Sequence, residues 1–171
     1  MDLPKSEAAF LQLFDEHHSA LFRFAYRLTG SVADAEDIVQ ECFLGLMRPT
    51  CSYDPKRAPL RTCLFGVVRN QSLKRLRQTD LPENSTSHHP SPERELLRAE
   101  LSQVVAGAVM QLPDTQREVL ILAHYERMPL AEIAQVMDLE LGAVKSRLQR
   151  ARASLKETLA AWAPAQSEKA E

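Results

Sequence analysis

Glycine and paired cysteines are scarce in this sequence of 171 residues, which has five glycines and three cysteines without CxxC spacing. An odd number of cysteines argues against a disulfide framework and fits a reducing compartment. A zinc site built from Cys42, Cys51 and Cys63 with His88 or His89 would match no usual ligand spacing, so we predict no metal. We find no glycine-rich phosphate loop or catalytic triad either, and expect no cofactor and no enzymatic activity.

Long apolar runs are also lacking, since no stretch approaches the roughly 18 residues that a membrane helix requires. The N-terminal segment MDLPKSEAAF has no basic part followed by an apolar part. We therefore expect a cytoplasmic protein with no membrane insertion. The net charge of −2 gives no overall signal for nucleic acid, because small DNA-binding domains are usually basic. Any binding of nucleic acid must come from local clusters of charge.

Apolar residues recur at steps of three and four, and this period predicts an all-α protein. Gly30 should end a first helix, and Ser31 should cap a second one that runs to about Arg48. A third helix is predicted from about Pro59 to about Arg77, because proline is tolerated in a first helical turn.

The composition changes sharply at residues 79–92, TDLPENSTSHHPSP, which hold three prolines and three serines. Such a segment cannot fill a core and predicts a flexible linker. We therefore expect two small helical lobes, called here the first lobe (1–78) and the second lobe (93–162). Residues 163–171 are expected to form a disordered tail.

The second lobe ends in a pattern typical of a helix-turn-helix. A short helix from about Leu130 to Met137 precedes a turn in which Asp138 suits the left-handed conformation, and a long helix follows. Residues 140–158, which include most of that long helix, carry a local charge of +3. A basic solvated face is the alternative to DNA contact. Five polar residues opposite or beside its apolar stripe are candidates for contacts with bases or phosphates: Lys145, Ser146, Arg147, Gln149 and Arg150.

The first lobe carries charges of both signs. On the second helix Val32, Ala35, Val39, Cys42 and Leu46 are predicted to point inward. The opposite side groups an exposed leucine with polar residues, which indicates either a protein-binding surface or a solvated face: Asp34, Asp37, Gln40, Glu41 and Leu44.

Residues 56–77 carry a local charge of +7 and no acid, beside a loop that contains Tyr53. A basic groove with an aromatic side chain that stacks on a base is how proteins hold single strands. Tyr53 folded onto the core is the equal alternative for that residue.

Three segments together resemble a known family: DAEDIVQECFLGLMR at 34–48, YDPKRAPLRTCLFGVVRNQSLKRLR at 53–77 and LPDTQREVLILAHYERMPLAEIAQVMDLELGAVKSRLQRAR at 112–152. Their order and spacing are similar to those of group IV, or extracytoplasmic-function (ECF), sigma factors of the sigma-70 family. The resemblance covers about residues 8–160. It implies a subunit that gives bacterial RNA polymerase its promoter specificity.

The resemblance also implies a role for each surface. The acidic face of the second helix would dock on the β′ clamp helices of core RNA polymerase, which the protein would also contact at the β flap. The basic face of the last helix would read the −35 element of promoter DNA, and an anti-sigma factor would hold the protein inactive. The residues expected at the −10 element are Tyr53, Lys56, Arg57, Arg61, Arg69 and Asn70.

Two other functions remain compatible with the charges alone. One is an autonomous helix-turn-helix regulator that binds duplex DNA without polymerase. The other is a helical adaptor that binds only proteins. An acidic docking face beside a basic single-strand groove favours the sigma factor over both.

Overall fold

The computed structural model describes residues 7–48, 53–78 and 103–162. Every regular element in these ranges is helical, which confirms the all-α prediction. The predicted linker at 79–92, the predicted start of the second lobe and the tail at 163–171 lie outside the described residues. The helices of the first lobe are α1 (Glu7–Thr29), α2 (Val32–Met47) and α3 (Leu60–Gln78). Those of the second are α4 (103–110), α5 (Asp114–Leu120) with a π-helical turn (Ile121–Tyr125), α6 (Leu130–Met137) and α7 (Leu141–Trp162).

The junction between α1 and α2 follows from two local signals. Gly30 has a φ of +72°, a conformation open to glycine, and its N–H donates to the carbonyl oxygen of Tyr26 at 2.8 Å. The Ser31 hydroxyl then accepts the backbone N–H of Asp34 at 3.2 Å. This bond satisfies one of the unpaired donors of the first helical turn. Both predicted boundaries are confirmed.

The core of the first lobe lies between its three helices. Phe24 on α1 and Phe65 on α3 are fully buried, with ring centroids 5.2 Å apart. The inward side of α2 is confirmed from Ala35 onward. Val32 was predicted to point inward and is 52 % exposed, so that prediction is wrong. Val32 is the first residue of α2, and the buried residues of this helix begin only at Ala35.

The helix-turn-helix is confirmed between α6 and α7. Asp138 ends α6 in the left-handed conformation, at φ 53° and ψ 54°, and the N–H of Leu139 donates to the Ala134 carbonyl oxygen at 2.9 Å. On α7, Val144 and Ala151 are fully buried. The turn therefore fixes the direction in which α7 leaves the lobe, with its apolar stripe inward.

The chain between α5 and α6 contains a π-helical turn that the sequence period did not predict. The N–H of Glu126 donates to the Ile121 carbonyl oxygen at 3.1 Å, and the N–H of Met128 donates to the Leu122 carbonyl oxygen at 2.9 Å. Such turns insert one residue into a helix and re-aim the side chains that follow. Here Tyr125, the last residue of the turn, and Glu126, the residue after it, contact the first lobe.

The two lobes are packed against each other, and their buried apolar residues form one continuous cluster. α3 lies against α1 and α2 on one side and against α6 on the other. At Gly66 a Cβ atom would meet the Val136 carbonyl oxygen at 4.0 Å, so the backbones of α3 and α6 approach closely. The sequence predicted two lobes but not this contact.

The left-handed conformation of Asp138 predicts a specific order of stabilities. An Asp138→Val variant should lose about 1–2 kcal/mol of unfolding free energy, because a β-branched residue is strained at positive φ. An Asp138→Gly variant should be at least as stable as the original protein. Urea unfolding followed by circular dichroism measures both. Equal stability of the valine and glycine variants would contradict the role of this turn.

Candidate polymerase and DNA surfaces

The acidic face of α2 is assembled as predicted. Asp37, Gln40 and Glu41 are exposed, Asp34 is half-buried, and Leu44 is 48 % exposed. Helical spacing places these residues on the side opposite the buried stripe. The face therefore combines carboxylates with an uncovered leucine, which is unusual for a purely solvated helix.

Met47 extends this face, although the sequence analysis did not predict it as part of the surface. It lies one turn beyond Leu44 and is 62 % exposed. Its spacing from Leu44 would have pointed to it, because residues three apart on a helix are neighbours. Together they form an apolar end to the acidic face of α2.

Arg75 of α3 lies against the same face. Its guanidinium donates to Asp34 Oδ1 at 2.9 Å and to Asp37 Oδ2 at 3.3 Å, and it lies 3.8 Å from Glu41 Oε1. One cation therefore bridges three carboxylates that are one turn apart along α2. The pairs are partly exposed, so they contribute little to the stability of the fold.

The basic run at 56–77 does not form one continuous groove. Arg75 contacts α2, whereas Arg61 and Arg69 reach the second lobe. The four basic residues that stay exposed lie at the two ends of the run: Lys56, Arg57, Lys74 and Arg77. The sequence correctly indicated seven positively charged side chains, but it could not show that three of these side chains have partners within the molecule.

The loop before α3 is held by two side chains. The Tyr53 hydroxyl donates to the Ala58 carbonyl oxygen at 3.2 Å, and Asp54 Oδ1 accepts the Lys56 N–H at 2.9 Å. Tyr53 is half-buried against the core, while Asn70 on α3 is exposed. The Tyr53 ring thus has one face in the fold, as the alternative interpretation expected, and keeps part of its surface in solvent.

The polar side of α7 is open to solvent. Lys145, Ser146, Gln149 and Arg150 are exposed and Arg147 is half-buried. The Arg150 Nε donates to the Ser146 carbonyl oxygen at 3.3 Å, so this side chain lies along its own helix. Four of the five predicted residues therefore share one accessible face, and Arg147 lies at its edge.

Between the lobes lies a set of polar contacts, called here the interlobe contacts. Arg69 Nε donates to Glu118 Oε2 at 2.7 Å, and the Thr62 hydroxyl donates to Glu132 Oε2 at 3.1 Å. The Arg61 guanidinium donates to the Glu126 carbonyl oxygen at 2.7 Å. These bonds join α3 to three different segments of the second lobe.

Arg27 of α1 adds to the interlobe contacts. Its guanidinium lies 4.2 Å from the centre of the Tyr125 ring and 3.8 Å from Glu126 Oε1. Burial raises the pKa of Glu126, although the nearby arginines act in the opposite direction. Burial likewise raises the pKa of Glu118, against the effect of Arg69. Two carboxyl groups are therefore held where water is largely excluded.

Among the described residues no cluster of histidine, cysteine, aspartate and glutamate is placed to hold a metal ion. Cys42 is buried and Cys63 half-buried, while Cys51, His88 and His89 lie outside the described part of the chain. None of the described helices is long and apolar enough to cross a membrane.

Two family models match the chain in the order of the lobes. Sigma-70 region 2 matches residues 13–81, and Sigma-70 region 4 matches residues 102–155. The ECF RNA polymerase sigma factor SigL of Mycobacterium tuberculosis is 36 % identical over an alignment of 162 residues, which covers 90 % of this chain and 91 % of SigL. The chain belongs to the ECF RNA polymerase sigma factors. It is therefore a sigma factor for transcription initiation, and the predicted family is confirmed.

Other comparisons agree with this family. SigW of Bacillus subtilis is 26 % identical over 167 residues, covering 88 % of this chain and 89 % of SigW. The sigma factor RpoE, solved with the anti-sigma factor NepR from Bartonella quintana, matches with a TM-score of 0.73 and 28 % identity, over 88 % of this chain and 96 % of RpoE. CnrH, solved with the cytosolic domain of CnrY, matches with a TM-score of 0.72 and 29 % identity, over 92 % of this chain and 91 % of CnrH.

Proposed function

We propose that this ECF sigma factor starts promoter-specific transcription through three separate surfaces. The observation that carries this assignment is the separation of charge: an acidic face with exposed apolar residues on α2, and a basic face on α7 of the other lobe. An autonomous DNA-binding regulator would not need the acidic face of α2. As a sigma factor, the protein needs no nucleophile, because nucleotide addition belongs to the polymerase.

The α2 face is the proposed contact with the β′ clamp helices of core RNA polymerase, and the second lobe would lie near the β flap. Exposed carboxylates beside an uncovered apolar pair suit a basic partner surface with an apolar centre. Arg75 supports this role by keeping the carboxylates aligned. The proposed contact residues are Asp34, Asp37, Gln40, Glu41 and Leu44, to which Met47 is added.

The α7 face is the proposed reader of the −35 element. In a helix-turn-helix the second helix enters the major groove and contacts base edges with its first turns. Gln149 and Arg150 suit base edges, whereas Lys145, Ser146 and Arg147 suit phosphates. All five lie within the first three turns of α7, where such contacts are expected.

The loop and α3 are the proposed surface for the −10 element, where the duplex must be opened. Opening costs about 1.4 kcal/mol for each base-pair step, which contacts with the freed strand must partly offset. Lys56, Arg57 and Asn70 are already exposed, and Tyr53 offers part of its ring. Arg61 and Arg69 belong to the same proposed surface but are bonded to Glu126 and Glu118 of the second lobe in this arrangement.

A protein partner is also proposed. RpoE of Bartonella quintana has been solved with the anti-sigma factor NepR, and this chain matches that sigma factor across both lobes. We extend the same class of partner to this protein, together with a cytoplasmic location where core polymerase is found. The protein itself is proposed to have no enzymatic activity.

Run-off transcription tests the function directly. Core RNA polymerase should initiate at defined positions in a library of bacterial promoter fragments only when this chain is added. Mapping the 5′ ends of the transcripts gives the −10 and −35 sequences. Tight binding to duplex DNA with no change in polymerase output would instead support an autonomous regulator.

The docking face predicts the effect of charge reversal. Replacing Asp37 and Glu41 by lysine should lower the affinity for core polymerase at least about tenfold, because two attractions become repulsions. Surface plasmon resonance on immobilised core enzyme measures the affinity. The matched control is Asp15→Lys with Glu16→Lys, which makes the same charge change on exposed residues of α1. Equal affinities of the two double variants would refute the docking face.

The basic face of α7 predicts a loss of sequence discrimination. Arg150→Ala should cost about 1–3 kcal/mol of preference for the mapped −35 sequence over a scrambled one, if the guanidinium contacts a base. Competition binding with both duplexes separates this effect from a general loss. Lys156→Ala on the same helix serves as a control for charge. A uniform loss on both duplexes would reassign Arg150 to a phosphate.

A further inference from the structure

We propose that His124 and Arg152 form a phosphate-binding pair beside the −35 surface, in which His124 takes up a proton when duplex DNA binds. His124 lies in the π-helical turn and Arg152 on α7, and the Arg152 Nε donates to His124 Nε2 at 3.2 Å. This inference rests on the proposed role of α7 in DNA binding. It adds a contact with the DNA backbone and makes the affinity for duplex DNA depend on pH.

Arg152 borders the residues that are proposed to read the −35 element. It follows Gln149 by three positions and Lys145 by seven, and residues at these spacings lie on one side of a helix. The helical rise places Lys145 and Arg152 about 10 Å apart along α7. Both side chains are exposed, whereas the apolar stripe of α7 is buried. A DNA strand that runs along this edge of α7 would therefore meet both cations.

The hydrogen bond within the pair defines the state of the imidazole. A guanidinium group has only donors, so His124 Nε2 must be the acceptor and the ring must be neutral, with its hydrogen on Nδ1. In this state the pair carries a single positive charge. A protonated ring has no acceptor nitrogen, so protonation breaks the bond to Arg152 and adds a second positive charge.

The surroundings of the pair do not offset its charge. Among the described residues no carboxylate forms an ion pair with His124 or Arg152. Glu126, the next acid along the chain, is buried and faces Arg27 of the first lobe. Other charged side chains on the elements packed against the turn interact elsewhere: Arg23 and Arg27 of α1, Arg61 of α3, Arg117 of α5 and Glu132 of α6. An exposed cation without an acid beside it suits an anionic ligand.

A phosphate of the DNA backbone supplies that anion. Its negative charge favours the protonated imidazole, because an opposite charge nearby stabilises the charged form of a titratable group. A proton passes from solvent to Nε2 of His124, which then donates to the phosphate, while the Arg152 guanidinium donates to the same group. The bound state thus holds a proton that the free state lacks. The affinity for DNA must therefore rise as the pH falls through the range in which histidine titrates.

The dependence of binding on pH tests the histidine. Fluorescence anisotropy of the full-length chain with a fluorescein-labelled duplex of mixed sequence measures the affinity, because contacts with phosphates do not depend on sequence. We expect the affinity to be about threefold to tenfold higher at about pH 6 than at about pH 8. His124→Gln should lose most of this gain, because the amide stays neutral while its oxygen can still accept from Arg152.

The matched control is His18→Gln, which removes one histidine from α1 of the first lobe. This variant should keep the full gain in affinity at the lower pH. Circular dichroism at 222 nm must show equal helicity for both variants at both pH values.

The dependence of binding on salt tests the arginine. Arg152→Gln should reduce the slope of log K against log salt concentration by about 0.9, because one phosphate contact fewer releases one counterion fewer. Arg23→Gln makes the same charge change at an exposed position of α1 and should leave the slope nearly unchanged. Both arginines are exposed, so neither substitution disturbs the core.

Two outcomes overturn the proposal. One is an equal effect of pH on the original chain and on His124→Gln, which would mean that His124 takes up no proton. The other is an unchanged salt slope for Arg152→Gln, which would mean that Arg152 contacts no phosphate. Failure of the sigma function itself would be seen separately by run-off transcription, because binding to this duplex needs neither core polymerase nor a mapped promoter.

Discussion

The packing of α3 is the constraint on which the rest of the structure depends. This one helix lies against α1 and α2 in the first lobe and against α6 in the second. Leu64, Phe65 and Val68 are fully buried, so little of its apolar surface remains for other partners. Three arginines of this helix have partners elsewhere in the described structure: Arg61, Arg69 and Arg75. The enclosure of α3 therefore brings three of its four arginines into contact with other described segments.

Each end of α3 takes part in a different surface. Near its start, Arg61 and Thr62 meet the second lobe, and near its end Arg75 meets the acidic face of α2. The surface proposed for polymerase and the surface proposed for the −10 strand are thus connected through one rigid element. Lys145, Ser146, Gln149 and Arg150 on the face of α7 are exposed while the lobes are packed. The two surfaces proposed for DNA therefore differ in access, because Arg61 and Arg69 on α3 have partners in the second lobe.

Features that depend on neighbouring residues were predictable from the sequence. Gly30, Ser31 and Asp138 have conformational preferences that mark the ends of helices, and the structure confirms each of them. The partners of Arg69 and Arg75 were not predictable, because they lie 49 residues and 34 to 41 residues away along the chain, respectively. A helical period tells which side of a helix is apolar but not which helix will cover it. The exposure of Val32 and the presence of the π-helical turn were not predicted, because both depend on where packing against other helices begins and ends.

The bridge made by Arg75 has a consequence for how this sigma factor meets its polymerase. Three carboxylates and one guanidinium leave this cluster with a net charge of −2, where the acids alone would give −3. Long-range attraction that guides diffusional encounter scales with net charge and is screened by salt. If the α2 face binds polymerase as proposed, the salt dependence of assembly should be weaker than three unpaired carboxylates would give, and Leu44 and Met47 add an apolar contribution that salt does not screen.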